Sequence, residues 1–401
     1  MFRPSSPNLP ETDTTEIRPY GVLVVTPYYP AHGGGPERIA GALTHEIELT
    51  ANVHFTWAAS DCDTPPDLYG PAMLPMKAHN FMENWLGLRY PFWSRNSLKQ
   101  LKDAVKKADC VWLHDTLSPG CLAAARMARK LKKPIFVTQH ASPTLRGNAW
   151  KRGWRTALDF IASRLILKQA RQATFTSDTA AEFYYRRVAF KAPVKIIPNG
   201  VDCGTFQPCL PEKRAALRGR FSLRDNQPVM LFAGDFTEAN GLLMLKELAQ
   251  LLPAWRFWLV GKGRINPESW YLPNVQVFPK RCDATLAELY QSADLLVLPG
   301  HGKQFPLAAQ EALACGLPVM CSSAVAAAQP FAKPYMWVID SNAETPEQLA
   351  KVWAKKLKSA QQFLPLSEAK TELSDVAQSN WEWPRIASHY VELLRAISPA
   401  A

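Results

Sequence analysis

The stretch LLVLPGHGKQFPLAAQEALACGLPVMC, residues 295 to 321, constrains the fold more than any other part of this chain. Leu295-Leu296-Val297-Leu298 is a short, wholly apolar run closed by Pro299-Gly300, which predicts a buried strand ending in a turn. A helix is expected from Leu307 to Ala314, stopped by Gly316 and Pro318, and Leu317-Pro318-Val319-Met320 opens the next strand. A helix entered from the carboxyl end of a parallel strand turns its unpaired N–H groups toward the crevice where such folds bind ligands. Glu311 lies one turn inside that helix, placed to accept hydrogen bonds from a ribose; the alternative is an ordinary surface glutamate.

The same alternation runs through the whole chain and predicts two parallel α/β units. Strands are expected at Gly21–Thr26, Val53–Ala59, Cys110–Leu113, Pro134–Thr138, Ala173–Thr176 and Val194–Ile197, with helices near 36–49, 97–107, 119–132 and 150–171. A second set begins at Val229–Ala233 and continues through helix 241–252, strands Phe257–Val260 and Val275–Phe278, and helix 284–291. The expected organisation is a disordered segment 1–18, a first domain 19–198, a hinge and linker 199–227, a second domain 228–378 and a final helix within 379–401. At 401 residues the chain is long enough for two domains, each with its own core.

No apolar run approaches the ~20 residues that span a bilayer, and the first 18 residues lack the apolar core of a secretory signal. The cysteines show neither a C-x-x-C pair nor metal-ligand spacing with histidine, so they are expected to be reduced, in a cytoplasmic protein. The net charge of +11 is uneven: residues 86–191 hold 21 Lys and Arg against 6 Asp and Glu, leaving the remainder slightly acidic. Such a field draws nucleic acid, phosphorylated substrates or an anionic membrane. No nucleic-acid reading element accompanies it, so nucleic acid is not expected as a partner. Basic residues interleave with aromatics at Tyr90-Pro91-Phe92-Trp93 and Trp150-Lys151-Arg152-Gly153-Trp154-Arg155, which favours peripheral attachment to an anionic membrane face over a merely solvated helix face.

Five motifs stand in a fixed order: Gly33-Gly34-Gly35-Pro36-Glu37, Pro198-Asn199-Gly200-Val201-Asp202, Gly261-Lys262-Gly263, Ala293-Asp294 and the 305–319 segment. Together they make the chain resemble the retaining GT-B glycosyltransferases of family four, the glycosyl transferases group 1. The resemblance covers nearly everything from residue 20. It implies two Rossmann-like parallel-sheet domains facing a cleft, with the last helix crossing back to the first domain. It also implies transfer of a hexose from a nucleotide sugar to a glycan or lipid-linked acceptor, with retained configuration and without metal or cofactor. Exopolysaccharide or cell-envelope glycan synthesis would use such a step.

Several residues are then candidates for the site. Gly34 and Gly35, after the turn Pro27-Tyr28-Tyr29-Pro30, let backbone approach the donor; a flexible turn is the plain alternative. Phe305, Pro306, Leu307 and Glu311 belong to the signature. His140 follows a strand where relatives place a sugar-contacting histidine, and His114, Tyr28 and Tyr29 are acceptor-side candidates. Three positions depart from the family pattern. Asp235 and Asn240 stand where an arginine and a lysine usually neutralise the diphosphate, and Lys303 replaces the first acid of the signature. Lys262, Arg264, Lys280, Arg281 and Lys303 could restore the missing charge. Otherwise catalysis has been lost and the chain serves as a partner or scaffold. A sugar-nucleotide epimerase, having no separate acceptor, would find little use for a basic aromatic face.

Overall fold

The computed structural model describes residues 18–67, 70–81, 83, 90–140, 160–161, 163–224, 227–279, 284–302, 305–360 and 367–397. Two parallel sheets carry the architecture. The first contains β1 (Tyr20–Val25), β2 (Val53–Ser60), β3 (Ala72–Met76), β6 (Cys110–His114), β7 (Ile135–Gln139), β8 (Gln172–Phe175) and β9 (Lys195–Ile196), in the order β3-β2-β1-β6-β7-β8-β9. The short strands β4 (Ala78–His79) and β5 (Phe92–Trp93) pair separately and antiparallel. The second sheet contains β10 (Val229–Ala233), β11 (Arg256–Val260), β12 (Val275–Phe278), β13 (Leu295–Leu298), β14 (Val319–Ser322) and β15 (Met336–Ile339), in the order β12-β11-β10-β13-β14-β15. Strand order reverses between β1 and β6 and again between β10 and β13. Those are the two places where loops diverge and leave a crevice at the carboxyl ends of the strands.

The apolar runs fold as their pattern requires, since Val22–Val25 and Leu295–Leu298 are buried on both faces. Elements with a weaker local pattern are also present. Edge strand β3 is half exposed and carries Pro75, which an edge position tolerates. The passage 199–227 is not plain linker: it holds the helix Pro211–Arg220. From that helix Arg214 donates to Asp294 Oδ1 at 2.7 Å and Arg218 to Asp294 Oδ2 at 3.3 Å, while Val229 N–H donates to Oδ2 at 2.8 Å. Asp294, one of the residues that carry the resemblance, thus fastens the passage to the second domain. The helices Asp178–Tyr185, Pro346–Ala360 and Ser367–Trp381 complete the cover.

Two stretches of chain connect the domains, side by side. Val201 N–H donates to Trp381 C=O at 2.8 Å where the chain enters the second domain and leaves it again. The helix Trp383–Ile397 then returns to the first domain, where Ile386, Tyr390 and Leu394 bury themselves against Val22, Val24, Trp112 and Phe136. Gln310 Nε2 donates to Asn199 C=O at 2.7 Å, so the helix Leu307–Ala314 also grips the crossing. Residues 1–17, the segment Trp150–Arg155, Lys280, Arg281 and Lys303 lie outside the described residues, as does half of the helix expected at 150–171.

Candidate functional site

The loops at the two reversal points face each other. On the first domain, Gly33 (φ 83°) closes a short 3-10 turn, and Gly34 is the N-cap of the helix Gly35–Thr50, with no side chain capping it. A Cβ at Gly34 would run into the Glu37 carboxylate, whereas Gly35 borders open space. On the second domain, the loop after β10 touches the loop after β13: His301 N–H donates to Ala239 C=O at 3.0 Å, and Gly241 (φ 80°) packs on Pro299. From the loop after β11, the Lys262 ammonium reaches Gly33, 4.0 Å from where a Cβ would stand. Lys262 and Arg264 are both exposed at this mouth. Asn240 is engaged locally, donating through Nδ2 to Asp235 C=O at 2.8 Å, and Asp235 is exposed beside it.

Glu311 is almost wholly buried. Its Oε2 accepts from the Tyr290 hydroxyl at 3.0 Å, and its Oε1 lies 3.5 Å from the Arg38 guanidinium of the first domain. Burial pushes its carboxyl above the usual carboxylate range, against the opposing pull of Arg38 and Tyr290. This carboxylate forms part of the wall of an interdomain cavity of about 660 Å³, lined also by Arg38, His45, Thr205, Ala284 and Leu307. Arg38 carries no motif signal beyond following the glycine loop, and the sequence reading missed it. It also missed Tyr290, which only the fold brings to Glu311.

His114 and His140 form a pair rather than two separate candidates. His114 Nδ1 lies 3.0 Å from His140 Nε2, and the rings stack at 5.3 Å between centroids. Burial depresses His140 to about 3 and lowers His114 well below its ordinary value, with the neighbouring ring adding to the effect on His114, so both are neutral at ordinary pH. Asp115, at φ 63°, accepts from His140 N–H at 2.8 Å and fixes the end of the strand loop. His114 is fully buried, which removes it from direct acceptor contact.

Other candidates are corrected in the same way. Tyr29 is a core residue whose hydroxyl donates to Trp57 C=O at 3.2 Å, and Tyr28 is equally enclosed. Phe305 packs on Trp381 at 5.8 Å inside the second core and does not face the cleft. Pro306 is the N-cap of the helix Leu307–Ala314, and Leu307 packs across the domain boundary. The signature had suggested contact with the donor for Phe305, Pro306 and Leu307, but core packing turns Phe305 inward, while Leu307 stays on the cavity wall.

Tyr28 instead serves a polar cluster that sequence did not reveal. Its ring stacks on His32 at 3.7 Å, and its hydroxyl lies 2.6 Å from Asn80 Oδ1 and 3.0 Å from Glu83 Oε2. His32 Nδ1 is 2.7 Å from Asp63 Oδ2 and its Nε2 3.0 Å from Glu83 Oε1. The cluster ties the turn before the glycine loop to the segments beyond β2 and β4. Asp61-Cys62-Asp63 has the spacing of a carboxylate pair that could share a metal. Here Asp61 accepts from Ala78 N–H at 3.0 Å and Asp63 faces His32.

Residues 33–205 match the family described as Glycosyltransferase Family 4, and residues 227–355 match Glycosyl transferases group 1, together about three quarters of the chain. The chain is 29% identical over 174 residues to D-inositol 3-phosphate glycosyltransferase of Segniliparus rotundus, a match spanning 40% of this chain but only 38% of that relative. In overall structure it is similar to sucrose-phosphate synthase from Thermosynechococcus elongatus, with TM-score 0.73 at 18% identity over 95% of this chain and 100% of the other. It is also similar to Anabaena Alr3699/HepE in complex with UDP-glucose, with TM-score 0.71 at 14% identity over 94% and 99% of the two chains. These structural likenesses establish the fold. The chain belongs to the group 1, family 4 glycosyltransferases and has their two-domain GT-B architecture.

Proposed function

We propose that the chain transfers a hexose from a nucleoside diphosphate sugar to a hydroxyl of a glycan or lipid-linked acceptor, with retention at the anomeric carbon. The observation that carries this reading is Glu311, a buried carboxylate on the wall of an interdomain cavity large enough for a nucleoside. Anabaena Alr3699/HepE, the same in fold, is described in complex with UDP-glucose. With the ribose on Glu311, the diphosphate extends toward the glycine loop, Lys262 and Arg264, and the hexose toward His140. In the retaining step the bond from C1 to the diphosphate oxygen breaks, the acceptor oxygen bonds to C1 on the same face, and the acceptor proton passes to the departing phosphate. Neutral His140 suits a hydroxyl partner in that arrangement. The chain's own cations and helix ends supply the charge stabilisation, with no metal or cofactor assigned. Glu311→Gln is expected to weaken binding of the matching nucleoside diphosphate by ~1.5–3 kcal/mol, roughly 10- to 150-fold, with the fold intact. Calorimetric titration checks this, and unchanged affinity would remove Glu311 from the site.

One observation favours a second reading. Asp235 and Asn240 stand where the family's cations are expected, and Asn240 is turned onto backbone. In that case the chain is a non-catalytic partner or scaffold, and no nucleotide sugar would bind at millimolar concentration.

Acceptor delivery at an anionic membrane surface is part of the proposal. Among the described residues no helix is long and apolar enough to cross a membrane. The first domain does expose Ile161 (55%) and Leu165 (53%) together with Arg164 and Lys168, on and just after one short helical stretch. Tyr185 and Arg186 lie at the end of the helix Asp178–Tyr185, which packs beside it through Phe160 and Phe183. Apolar side chains framed by cations match the lipid interface. Vesicles with anionic lipid should therefore bind the protein and release it as salt screens the attraction, and Arg164→Glu with Lys168→Glu should weaken binding. Equal binding to neutral vesicles would show that the basic face serves something else.

A further inference from the structure

The pairing at Glu311 joins groups from both domains. Oε2 is held by Tyr290 from the helix Ala284–Ser292, whereas Oε1 is approached by Arg38 at 3.5 Å, and both Glu311 and Arg38 line the cavity. Arg38 comes from the helix Gly35–Thr50 of the first domain, and its side chain is 30% exposed against 6% for Glu311. We infer that Arg38 is a positioning residue for the nucleoside end of the donor: its guanidinium holds Glu311 as a carboxylate facing the cavity, and the ribose site is complete only when the domains meet. This inference rests on the donor reading given above.

The chemistry follows from what a ribose offers. Its vicinal hydroxyls donate best to an ionised carboxylate, and with Oε2 given to Tyr290, Oε1 is the oxygen that can receive them. A protonated Glu311 would present a donor where an acceptor is needed. Burial acts against the charge, and Arg38 is the cation that opposes it. The other titratable groups near Glu311 are Tyr290 and, on its own helix, Cys315; burial drives both upward, and the adjacent carboxylate adds to the effect. His45, Glu46, Asp202 and Glu382 border the cavity farther along its wall. None of these supplies the fixed positive charge that Arg38 does. The loose 3.5 Å contact lets ribose hydroxyls enter at Oε1 without first breaking a short ion pair.

The test is affinity for UDP, ADP and GDP by calorimetry from pH 5 to 8.5, on wild type, Arg38→Met, Arg38→Lys and Glu311→Gln. A parallel carbon-13 NMR titration follows the Glu311 carboxyl in the unliganded protein. Binding that needs the carboxylate is full above its pKa and lost below it. Arg38→Met should therefore move the acid limb upward by about one pH unit or more, with affinity at the alkaline end little changed. Arg38→Lys should restore most of the wild-type profile, and Glu311→Gln should be weak and flat with pH. Equal weakening by Arg38→Met at every pH, or a Glu311 titration that does not move, would overturn the inference while leaving the donor site standing. Full-strength binding by Glu311→Gln would instead overturn the donor reading, and this inference with it.

Discussion

Replacing Lys262 by methionine is expected to lower kcat/KM for sugar transfer by about 100-fold, the ~1.5–3 kcal/mol of a hydrogen bond to a charged group. A nucleoside diphosphate gains negative charge as it leaves, and stabilising that charge is normally the largest catalytic contribution. The loop after β10 offers little for this, since Asp235 is an anion and Asn240 donates to backbone. Lys262 instead crosses from the second domain to Gly33, beside the helix terminus at Gly34 and Gly35. Lys262→Arg should keep more activity than Lys262→Met, and Arg264→Met should lose less, because it is the Lys262 ammonium that approaches Gly33. Initial rates with the matching donor, together with an unchanged melting temperature, decide the matter. Full turnover by Lys262→Met would place the compensating charge elsewhere, whereas a wild type inert with every donor supports the scaffold reading.

Gly261→Ala is expected to destabilise the second domain by about 2–4 kcal/mol, through overpacking against backbone that cannot retreat. Gly261 follows β11 with φ 158°, and its N–H donates to Phe278 C=O at 3.1 Å. A Cβ there would be driven into the Gly234 carbonyl and would stand 2.9 Å from the Phe236 ring. Gly234 is itself fixed, its N–H donating to Val260 C=O at 3.0 Å, so the clash cannot be relieved by a side-chain rotation. Relief means prying apart the ends of β10 and β11, which carry the loops bearing Asp235 and Lys262. Urea unfolding should show the loss as a lower midpoint, and donor affinity should fall in the fraction that remains folded. A midpoint within a few tenths of a kcal/mol of wild type would mean that these strand ends yield easily.

Most of the fold was legible because burial leaves a local trace. A strand covered on both faces must be apolar at every position, as at Leu295–Leu298 and Val22–Val25, and a helix must stop where Gly316 and Pro318 forbid it to continue. Where burial is partial the trace fades. Half-exposed β3 and the charged helix Pro211–Arg220 have no such signature, and the latter is held by two arginines converging on a distant aspartate.

The site divides along the same line. Sequence placed Glu311, Lys262 and the glycine loop at the carboxyl ends of strands, because strand and helix order fixes which loops share an edge. It also read Tyr28, Tyr29, Phe305 and His114 as facing the cleft, and tertiary packing turned each of them inward. Sequence by itself determined two parallel α/β domains and the segment that bears the carboxylate, and the family resemblance implied the returning last helix. Only the tertiary structure decided which charges meet: Arg38 with Glu311, His32 between Asp63 and Glu83, and Lys262 with Gly33. Those partners lie tens to hundreds of residues apart. Electrostatic contact depends on distance in space, for which local spacing along the chain carries no record.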